Sequence, residues 1–329
     1  ASATSVSSEG YHFCDRWRFT RDNSSSVFTL SQDSSVPSGK GFAKSLKVQT
    51  TTADTSLASN AQTRIEHRFE GQVLHPLKKG TSEAVPLTLS FYVKSNETGT
   101  YIVNLQDTDN NRLNAQTYTI SSADTWEYKT ITFVGDTTGA FTHDNNLSFV
   151  IHFYLSAGSD YTSGSLSTSW ATVTSANRAV GITNDIADST SNNWSITGVQ
   201  LEVGQNPTSF EHESFDVTLK KCQRYFQCSY SYGNNVATDT GDGNSIVSNS
   251  WGDGNASLEG QFLGGPMRAT PTTVLRPRGS TTTGQVNSAG TNRSASVVHD
   301  CSNSVGYIQI TSGTASNWVG YTLTQDSEL

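Results

Sequence analysis

Residues able to carry catalysis are present in this chain, but their spacing does not assemble them. The seven histidines, His12, His67, His75, His143, His152, His212 and His299, form neither HExxH nor HxH, and no neighbouring Cys or carboxylate pattern completes a metal site. Neither a GxSxG nucleophile elbow nor a phosphate-binding glycine loop occurs. Cys14, Cys222, Cys228 and Cys301 are scattered without a CxxC pair, so buried thiols are expected rather than a disulfide framework. Asp107, Asp109 and Asn111 begin like a calcium loop but lack Gly at the sixth position and Glu at the twelfth, which favours a hairpin turn. Asp239, Asp242 and Asp253 sit in glycine-rich stretches and read as solvated turns. Glu66 with Glu70, and Glu211 with Glu213, are the kind of carboxylate pair a glycosidase needs, yet an acidic chain contains such pairs by chance. No enzyme, metal site or cofactor is expected.

The chemistry left is that of aromatic side chains. Tyr161 and Trp170 lie in a long polar excursion, residues 157–193, where an exposed ring would stack on the C–H-rich face of a sugar. The alternative is that both rings fold back and pin the loop. Trp251, in the loop-rich second half, is a further carbohydrate-contact candidate, because loops on a rigid β scaffold carry binding residues.

Composition limits what can position such rings. Charged residues make up 15% of the chain, against about 25% in typical domains, and Ser, Thr, Asn and Gly fill the difference. Disorder is excluded by Val, Ile, Phe, Tyr and Trp recurring at strand spacing. The net charge of −8 argues against a nucleic-acid surface, and the one basic cluster, Arg268 to Arg278, is short. No run approaches the roughly 18 apolar residues of a membrane helix.

Strands are expected at Trp17–Phe19, Val27–Leu30, Ser45–Thr50, Arg64–Phe69, Leu87–Lys94, Tyr101–Gln106, Gln116–Ile120, Tyr128–Val134 and Leu147–Leu155, bounded by Gly, Asn, Asp and Ser turns. Residues 107–114 read as a hairpin loop, WEYKTITF as a strand opposite LSFVIHFYL, and Ala171–Val173 with Ala179–Ile182 as a short pair. Ile196 to Val203 alternate, with Thr197, Val199, Leu201 and Val203 on the core face. Leu219, Cys222 and Phe226, with Tyr225 beside them, predict a short amphipathic helix capped by Ser214 or Asp216. Further strands are expected from Ser245 to Thr324. The fold class is therefore all-β: a jelly-roll β-sandwich over 1–213, a short connecting helix over 214–228, and a second, smaller β domain over 229–329. A single large sandwich with an appendage also fits the length.

NNWSITGVQLEVG, then TSFEHESF, then LKKCQRYFQ, resembles a segment of tailed-bacteriophage virion proteins of the tail-fibre, receptor-binding and head-fibre type. TWEYKTITFVG, SFVIHF and GPMRATPTTV are similar to further elements of that group, and Phe226 stands where a second tyrosine is common. The resemblance implies a carbohydrate-binding-module-like jelly roll in a structural protein on the particle exterior. It also implies a homotrimer with other virion proteins and host-surface glycans as partners, and Leu219, Cys222, Tyr225 and Phe226 are the oligomer-interface candidates. Neither nucleic acid nor membrane insertion is expected. The alternatives are a carbohydrate-binding module of a secreted polysaccharide-degrading system and a capsule depolymerase.

Overall fold

The structure is a computed structural model that describes residues 2–12, 14, 16–230, 246–248, 255–258, 266–277, 279–288, 291–294, 296–301, 305–311 and 319–329. The chain divides into two units, residues 1–212 with Leu329 and residues 213–328.

The first unit contains β1 (Ser2–Val6), β2 (Trp17–Asp22), β3 (Val27–Asp33), β4 (Ser45–Thr52), β5 (Gln62–Glu70), β6 (Leu87–Ser95), β7 (Gly99–Asp107), β8 (Arg112–Ile120), β9 (Glu127–Phe133), β10 (Leu147–Ala157), β11 (Ala171–Thr172) and β12 (Asn193–Val203). They form two six-stranded sheets, one in the order β1-β3-β4-β12-β6-β9 and the other β11-β8-β7-β10-β5-β2. Period-two alternation explains the packing. Leu89, Phe91 and Val93 of β6 face inward, as do Tyr101, Val103 and Leu105 of β7 and Phe149, Ile151 and Phe153 of β10, and all are buried. Phe153 meets Phe91 edge to face at 5.2 Å and lies 5.9 Å from Trp194, tying the two sheets together. Burying each such ring contributes about 1.5–3 kcal/mol. The result is a β-sandwich of jelly-roll type, as the strand pattern predicts.

Three local expectations change. β9 and β10 lie in different sheets: β9 is an edge strand paired with β6, while β10 runs between β5 and β7. Strand β12 carries a bulge, because Thr197 opposes Tyr92 and Gln200 opposes Ser90, which sets one extra residue against β6. Ile196 is therefore inside at 2% exposure, Val199 and Leu201 pack on the core after the bulge, and Val203 is 48% exposed. The expectation for Val199 and Leu201 thus stands, while Ile196, which a strict alternation places outside, and Val203, which it places inside, are the reverse. Finally, Ala171–Thr172 pairs with β8, and Ala179–Ile182 is not a strand. The hairpin over 107–112 is present, with Asp107 opposite Arg112 and Asn111 at φ 52°.

Much of the segment 157–192, including the short helix α1 (Ser159–Thr162), folds back over the outer face of the second sheet, while its Trp170, Ile186 and Ala187 pack on the sandwich core. Ala179, Tyr161, Leu166 and Ile182 pack there on Ile102, Ala115 and Tyr154. The outer face of the first sheet carries instead the segments 34–44 and 204–212. Thr197 Oγ1 donates to Lys44 O, Thr88 Oγ1 to Gly204 O, and Thr132 Oγ1 to Gln205 O.

The second unit begins with α2 (Phe215–Gln223), whose N-cap is Ser214, and Phe226 falls beyond it in a strand. Its strands are β13 (Phe226–Cys228), β14 (Ile246–Ser248), β15 (Asn255–Leu258), β16 (Thr272–Arg276), β17 (Gln285–Ser288), β18 (Thr291–Ser294), β19 (Ser296–Cys301), β20 (Val305–Thr311) and β21 (Val319–Asp326). Strand β21 is the spine, pairing with β13, β14, β16 and β17, while β15, β20 and β19 form a second sheet. Tyr321, Leu323, Leu275 and Met267 are buried. Among the described residues, no helix is long and apolar enough to cross a membrane.

Candidate functional site

Adjacent strands place aromatic rings on the first sheet's outer face. Because Phe91 and Val93 point inward, Tyr92 points out, and β9 sets Tyr128 directly opposite it, with ring centroids 4.8 Å apart. The row continues through Phe42, which meets Tyr92 at 5.7 Å, Phe210 at 5.0 Å and His212 at 5.3 Å. Tyr128 is 46% exposed and Phe210 36%. At the other end stand Trp126 and Lys94, each two residues from a tyrosine and on the same face. Lys94 Nζ lies 5.4 Å over the Trp126 ring and 2.8 Å from Ser35 Oγ. A groove of about 560 Å³ runs along the Phe42, Tyr92, Tyr128 and Phe210 rings, with Ser90, Thr208 and Ser209 as its polar lining and Lys40 at its rim.

Backbone geometry sets the groove's walls. Gly198, in the β12 bulge, has φ 59°, and a Cβ there would lie 2.4 Å from Phe42 Cζ, so only glycine lets that ring lie against the strand. The 204–212 wall is held by β12 itself. Glu202 accepts hydrogen bonds from the Thr208 N–H (2.8 Å) and hydroxyl (2.7 Å), and Gln200 Oε1 accepts from the Glu211 N–H (2.9 Å). This wall positions Phe210 and His212.

The groove's charge is one-sided. No carboxylate lines it. Lys47 and Lys129 are paired with Asp33 and Glu127, whereas, among the described residues, Lys40 and Lys94 have no carboxylate partner within 4 Å. Exposed ring faces beside hydroxyls and ammonium groups can hold a ligand with an apolar face and a polar edge. Among the described residues, no hydrogen bond joins His212 to the hydroxyls of Ser90, Thr208 or Ser209 in the lining.

The residues singled out from the sequence lie elsewhere. Trp170 packs on the sandwich core, its indole N–H donates to Val134 O at 2.7 Å, and its ring faces Phe149 at 6.3 Å and Lys79 Nζ at 5.9 Å. Tyr161 belongs to the cluster under the folded-back loop. The two rings thus anchor different parts of the excursion and form no shared platform. Trp251 lies outside the described residues. Of the interface candidates, Tyr225 is buried, and Leu219, Cys222 and Phe226 are half-buried. The exposed apolar residues of α2 are Phe215 (79%) and Val217 (43%). Cys14 is exposed, contrary to the expectation of a buried thiol, and Cys228 is buried.

The candidate carboxylates are engaged structurally. Glu66, 1% exposed, accepts from Thr20 Oγ1 (2.7 Å), Arg64 Nε (2.7 Å) and Arg68 Nη2 (3.0 Å). Burial alone would push this carboxyl up, but nearby His152 and the charges of Arg64 and Arg68 hold it well below the usual carboxylate range. Glu70 accepts from Gln72 Nε2. Asp107 is paired with Lys79 at 2.5 Å and bonded by Asn110, as a hairpin turn requires. Among the described residues, no three His, Cys, Asp or Glu side chains form a group that could hold a metal ion.

No protein-family model matches the chain, and no curated protein matches it. Solved structures similar to it include the enzymatically active domain of tailspike protein 4 of bacteriophage CBA120. That likeness has a TM-score of 0.33 and 12% identity over 57% of this chain and 19% of that one. The family 11 carbohydrate-binding module of the cellulosomal cellulase Lic26A-Cel5E of Clostridium thermocellum is similar at TM-score 0.29 and 11% identity, over 65% and 98%. The carbohydrate-binding and catalytic modules of xylanase 10B from the same organism, complexed with xylohexaose, are similar at TM-score 0.30 and 11% identity, over 68% and 32%. This chain spans about a fifth of the length of that tailspike domain's chain. The fold rests on the strand order, and the site on its own geometry.

Proposed function

We propose that this chain is a non-catalytic glycan-binding protein whose first unit holds a polysaccharide along the groove beside Tyr92 and Tyr128. The single observation behind this reading is the row of rings on a rigid sheet face, Tyr128 and Phe210 exposed and Tyr92 and Phe42 half-buried, bordered by hydroxyls. Pyranose rings present C–H-rich faces that pack on such rings, while their hydroxyls need polar partners at the edge. The absence of any carboxylate from the groove lining supports binding without hydrolysis, because glycosidases flank the scissile bond with two of them.

The setting we propose is a fibre or spike on the exterior of a tailed-bacteriophage particle, built as a homotrimer. It is supported by the resemblance of the segment from Asn192 to Gln227. The exposed Phe215 and Val217 of α2, a helix with no buried residue, give a trimer something to bury. Three weak sites presented together would also gain from avidity.

A glycan array probed with the intact chain and with a Tyr92→Ala/Tyr128→Ala double variant tests the binding. Retention on at least one polysaccharide, lost in a variant that melts at the same temperature, is expected. Equal retention by both proteins would remove the groove. Light scattering after size exclusion tests the setting: a trimer is expected. A monomer at micromolar concentration would transfer the chain to the alternative, a binding module of a polysaccharide-degrading system. Shortening of the polysaccharide during incubation would contradict the non-catalytic part.

A further inference from the structure

We infer that the groove selects acidic polysaccharides, those bearing a carboxylate or sulfate group, over neutral ones; this rests on the glycan-binding reading above. The chain as a whole carries −8, yet the groove lining includes the ammonium group of Lys40 and no carboxylate among the described residues, and Lys94 lies just beyond it, two residues along β6 from Tyr92. Lys40 stands at the Phe42 end and Lys94 next to Tyr92, so a polymer lying on the tyrosine pair has a cation near each end of its footprint.

The contrast with neighbouring lysines makes the charge available. Lys47, on the same face, is matched by Asp33 at 3.9 Å, and Lys129, on the opposite side of β9, by Glu127 at 2.6 Å. Among the described residues, Lys94 is held by a hydroxyl and an aromatic face, Ser35 Oγ and the Trp126 ring. Neither partner cancels its charge, and both fix its ammonium beside the platform. Ordering the side chain in advance lowers the entropy lost when an anion arrives. Glu202 of β12 is engaged by Thr208, Glu211 belongs to the wall, and neither lines the groove; Asp33 accepts from the Ser35 N–H at 2.7 Å and is matched by Lys47 at 3.9 Å. A neutral polymer would use the rings and leave both lysines to water. One with an anionic substituent on alternate or successive sugars would pair with at least one of them, a charge-assisted contact a neutral hydroxyl cannot match.

Paired probes isolate this term, because they keep the sugar and change the charge: polygalacturonate against its full methyl ester, and dextran sulfate against dextran. Titrated into the intact protein in one buffer, the charged member of at least one pair is expected to bind about five- to tenfold more tightly than its neutral partner, the range of one or two partly exposed ion pairs. A Lys40→Gln/Lys94→Gln variant is expected to bind both members equally, at the affinity of the neutral one. Tyr128→Ala is expected to weaken both members together. The first pair reads carboxylate preference and the second sulfate preference. Equal binding of charged and neutral members by the wild type, with Tyr128→Ala weakening both, would overturn the acidic preference while leaving glycan binding standing. Charge selectivity that survives in the lysine variant would assign it to another surface and also overturn the inference. Failure of every probe to bind would overturn the glycan reading and this one with it.

Discussion

Tyr92 and Tyr128 show how two ordinary strand residues become a site. Each sits at an outward position, and cross-strand register brings their rings to 4.8 Å. Removing one ring takes away about half of the flat surface, so Tyr128→Ala is expected to weaken polysaccharide binding about tenfold, equivalent to about 1.4 kcal/mol, with an unchanged melting temperature. A calorimetric titration checks both. These residues were legible only in part: TWEYKTITF and LTLSFYVK show their aromatics, but which phase of the alternation faces solvent depends on pairing that sequence spacing does not reveal. Trp170 drew notice because it stands in a polar loop, yet its indole N–H and ring are both used for packing. A second set of residues predicts pH dependence. Burial, then the charges of Asp188 and Asp185, push the Glu97 carboxyl up to about 7, and Asp185 rises to about 6, mainly through burial. For a raised carboxyl the folded state holds its proton more tightly, so its stabilisation is complete below the unfolded value, about 4.5, and is lost as pH rises through 7. Glu97→Gln is therefore expected to raise the melting temperature at pH 8 by a few degrees, roughly 1 kcal/mol at this half-buried, solvent-screened position, and to change it little at pH 4. Equal shifts at both pH values, measured by thermal melts, would contradict this assignment.

Strand β12 shows how one backbone detail connects packing to the site. Trp194 and Ile196 fill the core before the bulge, Val199 and Leu201 after it, and Gly198 between them makes room for Phe42. Gly198→Ala would place a methyl group 2.4 Å from the Phe42 ring at a φ of 59°. It is expected to cost about 1–2 kcal/mol in chemical denaturation and to weaken glycan binding as Phe42 is displaced. Unchanged stability would show that the bulge relaxes without the ring. The strands themselves were readable because alternation survives almost everywhere along them. The bulge was not, since a glycine inside an alternating run looks like any other small residue until its partner strand is known. The loop over the second sheet escaped for another reason: its anchors, Tyr161, Leu166, Ala179 and Ile182, follow no period, so nothing in their spacing announces a covering layer. Covering one sheet and leaving the other's outer face to two short segments decides where a ligand can lie.

The whole chain combines an uncharged polar exterior with a few concentrated features: the groove, its two lysines and the exposed apolar positions of α2. A net charge of −8 with only 15% charged residues gives a general repulsion from acidic surfaces, so contact with them must be made locally. If α2 joins copies of the chain, Phe215→Ser is expected to reduce the trimer to monomers in light scattering while each copy keeps its melting transition. A trimer unaffected by the change would move the interface elsewhere. The division of labour between structural and binding aromatics is the central claim, and parallel calorimetric titrations of one acidic polysaccharide into Tyr128→Ala and Trp170→Ala proteins, well below their melting temperatures, test it most directly. The account predicts that Tyr128→Ala binds about tenfold more weakly, whereas Trp170→Ala melts at a lower temperature but binds as the wild type does. Wild-type affinity in Tyr128→Ala together with lost binding in Trp170→Ala would contradict it.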